Sequence, residues 1–132
     1  MDDCRRDLAN IRIERAEELL QEAKSLLENG SYKSANNRAY YSFEKSIKAI
    51  LAIKEVDAKT HSGVLHLFNE KYVHNGNYFT HDDYLMFKQS EYIRGVSDYD
   101  DFYIARKSDC IDQVNNAEKI LHKVKEYLRI NV

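Results

Sequence analysis

Proline is absent from the 132 residues, and glycine occurs only at Gly30, Gly63, Gly76 and Gly95. A chain with so few enforced breaks favours long helices, because proline removes a backbone donor and glycine loosens the backbone. Cysteine is nearly absent too. Cys4 and Cys110 stand far apart, which excludes a cysteine zinc spacing, and reduced thiols in a cytoplasmic protein are expected rather than a disulfide. No apolar run approaches the ~20 residues that cross a bilayer, so a membrane is not expected as a partner. The N-terminal stretch MDDCRRDLAN is charged and has no apolar centre, so no secretory signal is expected there. Neither sign of charge dominates. Twenty basic and 22 acidic residues leave a formal net charge of −2, so bulk basicity does not advertise nucleic-acid binding, although a local basic patch is available.

What is present is a globular composition, with 43% hydrophobic and 32% charged residues. The length suits one domain over residues 1–132, and about two-thirds of the unfolded surface can be buried at this size. The apolar residues recur in three- and four-residue steps, the mark of amphipathic helices. Leu8, Ile11, Ala16, Leu19, Leu20, Ala23, Leu26 and Leu27 predict a first helix over about Asp3–Glu28. Asn29-Gly30 supplies its left-handed stop and Ser31 a candidate N-cap. Ala35, Ala39, Tyr40, Phe43, Ile47, Ile50 and Leu51 predict a second helix over about Tyr32–Lys54. A third is expected over Ser62–Val73, with Val64, Leu65, Phe68 and Tyr72 inward. A fourth opens near His81, where Thr80 and Asp83 have capping-box spacing, and reaches about Arg94 or slightly beyond. A fifth spans about Lys107–Arg129, with Ile111, Val114, Ala117, Leu121, Val124 and Leu128 on one face. Strand-like alternation and internal repeats are missing. The expected fold is all-α: an up-and-down bundle of about five helices on a four-helix core.

Three polar segments stand out from this pattern. Arg38 and Tyr41, three apart on the second helix, are neighbours on its surface. Arg38 can simply pair with a carboxylate there, or add positive charge to a site. Lys59-Thr60-His61-Ser62-Gly63 precedes the third helix, where Thr60 or Ser62 can cap it. His61 can either face solvent or handle a proton. Arg94 and Asp98 are four apart, so on a continuing helix they meet. They form a structural salt bridge, or an arginine poised for phosphate and held by Asp98. No glycine-rich phosphate loop, nucleophile elbow or paired-cysteine site is present, and neither a metal nor a cofactor is expected.

At these segments the chain resembles the HEPN family, small helical domains of prokaryotic toxin–antitoxin and defence systems. Asn37-Arg38-Ala39-Tyr40-Tyr41 is similar to the family's helix-two signature. Lys59-Thr60-His61-Ser62-Gly63-Val64 with Leu67-Phe68 is similar to the opening of its third helix. Arg94-Gly95-Val96-Ser97-Asp98-Tyr99-Asp100-Asp101-Phe102 is similar to the arginine-to-Asp-Tyr segment of one branch. The resemblance implies a homodimer, a possible minimal nucleotidyltransferase antitoxin, and RNA or nucleotide bound at a dimer-interface cleft. Many HEPN proteins are metal-independent ribonucleases whose arginine is followed, four to six residues on, by histidine. Here Tyr99 stands at that place, and a tyrosine, with a reference pKa of about 10, is a poor base near neutrality. Some relatives carry an adenylylated tyrosine two places further; Asp101 is at the matching position. Enzyme activity is therefore left open by the sequence. The candidate catalytic residues are Arg94, Asp98, Tyr99 and His61, and the candidate RNA- or nucleotide-contacting residues are Arg38, Tyr41 and Arg94. The alternative is a non-catalytic module that docks the nucleotidyltransferase.

Overall fold

The computed structural model describes residues 3–131. Five α-helices follow one another: α1 (Asp3–Glu28), α2 (Tyr32–Ile53), α3 (His61–Phe68), α4 (His81–Tyr99) and α5 (Lys107–Asn131). A π-helical turn, Asn69–His74, extends α3. No strand occurs among the described residues.

Helix α2 is the centre of the bundle and packs on α1, α3, α4 and α5. The polar contacts give the directions. Arg5 and Arg12 of α1 donate to the carbonyls of Ile53 and Lys48, and Ser42 of α2 donates to the carbonyl of Ala16 at 2.8 Å. Numbers that rise along α1 fall along α2, so the pair is antiparallel. Arg6 with Leu128 and Lys24 with Glu118 set α5 antiparallel to α1 in the same way. Asn36 with Ser97, and Phe43 stacked on Phe87 at 4.9 Å, do the same for α2 and α4. Four long helices therefore run up and down, with α3 and the π-helical turn covering the side where α2 meets α4.

The α1 stripe differs from the one its large residues predict. Leu8 and Ile11 are exposed, and Ala9 and Ile13 are buried in their place, beside the expected Ala16, Leu19, Leu20 and Ala23. Alanines seven apart form the inward line, and their size lets α2 approach closely enough for the Ser42–Ala16 bond. Ile111 is likewise exposed, while Cys110 and Ile120 join Val114, Ala117, Leu121, Val124 and Leu128 in the α5 core. Burial pushes the Cys110 thiol up to about 11. Cys4 lies exposed on α1, and no disulfide joins the two.

Helix ends follow local chemistry. Gly30 has φ +79°, and the N–H groups of Gly30 and Ser31 donate to Leu27 and Leu26. That is a Schellman stop, and it takes up Ser31, whose side chain makes no cap bond to α2. The Thr80–Asp83 capping box forms as its spacing predicts. Asp83 also takes a 2.6 Å bond from Lys123, which pins the start of α4 to α5. Helix α4 continues past Arg94 to Tyr99, where Ser97 is buried and bonded to Asn36.

Two isoleucines two places apart on α1 test this packing. Ile13 is 8% exposed and Ile11 62%. Ile13→Ala is expected to cost about 2–5 kcal/mol in urea unfolding, and Ile11→Ala to stay within about 0.5 kcal/mol.

Candidate functional site

One polar cluster joins α2, α3 and α4 at the C-terminal end of α4. Arg94 lies near its middle. Although only 6% exposed, its guanidinium meets Glu91 Oε1 at 2.8 Å and Asp98 Oδ2 at 3.4 Å. Its Cζ stands 5.6 Å from the Tyr40 ring and 5.5 Å from the Tyr99 ring. Burial works against the charge, and the Glu91 carboxylate outweighs it, so the guanidinium is held above its ordinary pKa. Among the described residues, Nε of Arg94 and Oε2 of Glu91 have no hydrogen-bond partner.

Asp98 is shared. Asn37 Nδ2 donates to its Oδ2 at 2.9 Å, and Arg38 donates to Asn37 Oδ1 at 2.6 Å. Arg38 itself pairs with Glu22 of α1 at 2.9 Å rather than with Tyr41. The carboxylate partner expected for Arg38 is therefore present, and through Asn37 the arginine also reaches the cluster.

The other half of the cluster is built around Tyr40. Its hydroxyl donates to Glu44 Oε2 at 2.6 Å and lies 2.9 Å from His61 Nδ1. His61 Nδ1 lies 2.7 Å from the same Glu44 oxygen. The buried phenol is pushed far above the usual tyrosine range, by desolvation first and by Glu44 second, so it stays protonated. Tyr41 is raised as well, mainly by burial, and its ring lies 5.7 Å from that of His61.

His61 is not the loose surface group that a simple cap would leave. It opens α3, where Thr60 Oγ1 accepts the Gly63 N–H at 3.0 Å. Gly63 is required there, because a Cβ would fall 2.8 Å from Ala58 Cβ and 3.0 Å from Thr60 Oγ1. The five residues Lys59–Gly63 are thus a device that caps α3 and points its first side chain at Glu44.

The structure brings Arg94, Asp98 and Tyr99 together directly, His61 and Tyr41 through Tyr40, and Arg38 through Asn37. Sequence reasoning missed Glu44, Glu91 and Asn36, and treated Tyr40 as core alone. The spacings Tyr40–Glu44 and Glu91–Arg94, four and three residues, were the available signals. No group of three histidine, cysteine or carboxylate side chains among the described residues could hold a metal ion.

A family model described as the HEPN domain matches residues 9–127. The chain belongs to the HEPN family. Over 116 residues it is 30% identical to the protein named "Putative toxin MJ0142" of Methanocaldococcus jannaschii, covering 88% of this chain and 78% of that one. Over 125 residues it is 31% identical to a UPF0332 protein of Archaeoglobus fulgidus, covering 95% and 98%. Its fold is similar to the crystal structure of ST0689, an archaeal HEPN homologue, with a TM-score of 0.65 and 23% identity over 89% of this chain and 95% of that one. Within this HEPN fold the arginine-to-Asp-Tyr segment is the last turn and a half of α4. No described helix is long and apolar enough to cross a membrane.

Gly63→Ala is the expected weak point of the cluster. The added methyl has to displace Ala58 or the Thr60 cap, so a loss of about 1–3 kcal/mol is expected in thermal unfolding. A shift of the His61 ring resonances should accompany it.

Proposed function

We propose that this chain is a toxin-type HEPN module of a two-protein system, and that it binds RNA or nucleotide phosphate at the Arg94 cluster, in a cleft between two copies. The observation that carries the reading is the convergence of Arg94 and His61, distant in sequence, on one tyrosine ring. Arginine offers a planar donor fork for phosphate and keeps its charge at any working pH. Asp98, bonded to Arg94 at 3.4 Å, is the weaker of its two carboxylates and the one a phosphate would replace. Tyr99 and Tyr41 offer ring faces to a base, and Arg38 adds charge beyond Asn37. Tyr99 and His61 are the proton-handling groups.

The α4 surface supports pairing with a second copy. Leu85, Tyr92 and Tyr99 repeat every seven residues along α4, and all three are exposed. Gly95 lies between the two tyrosines, where a Cβ would meet only open space. Nothing inside the chain requires glycine there, and glycine within a helix costs about 0.5–1 kcal/mol relative to alanine. Its lack of a side chain suits the approach of another helix against this face.

One feature favours the second reading, a non-catalytic module that docks a minimal nucleotidyltransferase. Both terminal nitrogens of Arg94 already hold carboxylates within the chain. The named toxin among the relatives favours the first.

Incubation with defined RNAs decides between them. Arg94→Ala is expected to weaken RNA or nucleotide binding about ten- to a hundredfold, the worth of a charged hydrogen bond of about 1.5–3 kcal/mol, with the fold retained. Asp98→Ala should weaken binding less. Tyr99→His restores the arginine-to-histidine spacing and is expected to raise metal-independent cleavage. Unchanged binding by Arg94→Ala would show the cluster to be structural.

Light scattering should show a dimer at micromolar concentration, and Tyr92→Lys should shift it to monomer. A monomeric wild type counts against the shared cleft.

A further inference from the structure

We infer that Glu44 and His61 form the proton-transfer pair of this site, with His61 Nε2 as the general base toward an RNA 2′-hydroxyl and Glu44 as the residue that positions it. The inference rests on the reading that RNA is bound at the Arg94 cluster. It assigns the base to His61 and adds a residue, Glu44, that belongs to none of the three family-like segments.

The geometry decides the state of the ring. A carboxylate oxygen only accepts, and Glu44 Oε2 receives the Tyr40 hydroxyl at 2.6 Å and faces His61 Nδ1 at 2.7 Å. His61 Nδ1 therefore carries the hydrogen. The lone pair is left on Nε2, on the far side of the ring, and the side chain is 34% exposed. Glu44 is 7% exposed and has no lysine or arginine bonded to it among the described residues. A buried carboxylate whose Oε2 is held by a phenol and an imidazole is a costly choice if the purpose were to staple α2 to α3, which an apolar contact would achieve without desolvating a charge. It is the arrangement that fixes a histidine tautomer and steadies the imidazolium formed when the ring takes a proton. The same Tyr40 ring lies edge-on to His61 at 5.1 Å and under Arg94 at 5.6 Å, so the base and the phosphate-binding charge share one support.

The step balances without a metal or an oxidant. His61 Nε2 takes the proton of the ribose 2′-hydroxyl, and O2′ forms a bond to the adjacent phosphorus. The bond from phosphorus to O5′ breaks, and O5′ takes a proton from water. The products are a 2′,3′-cyclic phosphate and a 5′-hydroxyl, and the imidazolium returns its proton to solvent. Arg94 offsets the charge that builds on the phosphoryl oxygens.

The test uses the full chain, a defined single-stranded RNA and chelator in every reaction, with Arg94→Ala, His61→Ala and Glu44→Gln. Wild type should cleave, and Arg94→Ala should not. His61→Ala should lose at least about a hundredfold in rate, the usual worth of a general base, and recover part of it with added imidazole. Glu44→Gln should lower kcat with little change in KM. Nitrogen-15 spectra of the wild type should show hydrogen on Nδ1, and the Glu44→Gln spectra a mixture of tautomers. Full-rate cleavage by His61→Ala, or a loss that imidazole does not restore, overturns this inference while leaving the Arg94 reading in place. Hydrogen on Nε2 in the wild type overturns it as well, whatever the variants do. If the wild type binds RNA and does not cleave it, this inference falls and the Arg94 binding reading stands.

Discussion

A phenol placed inside an apolar bundle sets the terms for everything around it. The Tyr40 ring stacks over Phe87 at 5.9 Å and is wholly buried, so its hydroxyl cannot turn to water and must find a protein partner. Glu44, one turn further along α2, supplies the partner and brings a charge that needs support in turn. His61 gives that support from α3. Arg94 also lies over the ring, and its own charge draws in Glu91 and Asp98. The polar cluster grows outward from a single buried hydroxyl. Because Phe87, itself stacked on Phe43, packs on the ring, the cluster inherits the rigidity of the core.

The charges also tie the long helices into one circuit. Glu22 on α1 holds Arg38, Arg38 holds Asn37, Asn37 holds Asp98, and Asp98 meets Arg94. The outer members are exposed, and such pairs contribute at most about 1 kcal/mol each. Their effect is on orientation. A shift of α1 relative to α2 would be felt at Arg94 through bonds that are individually weak and collectively directional.

How much of this could be read from the sequence depends on whether the signal was local. The five helices were legible because apolar spacing and the Thr80–Asp83 box act within a few residues. The inward line of α1 differs at its start because hydrophobic size points to Leu8 and Ile11, whereas close packing selects Ala9 and Ile13. The Arg94–Asp98 contact was legible as a spacing of four on one helix. The Tyr40–Glu44–His61 cluster was not, because it joins two helices and because Tyr40 fits the apolar stripe well enough to hide its hydroxyl. Tyr99 was noticed for replacing a histidine, yet its position above the arginine came only from the path of α4 beyond Arg94.

The π-helical turn after α3 gives the chain an uneven tolerance to changes in length. A π turn holds one residue more than an α turn, and each residue rotates a helix by about 100°. Tyr72, whose hydroxyl donates to the Ile50 carbonyl, lies inside this turn, and Phe79 packs on it at 5.7 Å just beyond. Loss of one residue from 69–74 would tighten the turn to α geometry and swing Tyr72 away from Ile50. The same loss within the exposed α4–α5 link would disturb no buried ring. Gene variants one codon shorter should therefore survive at the second place and be purged at the first, and a family alignment would carry that asymmetry as a gap-free column block running from His61 to Phe79.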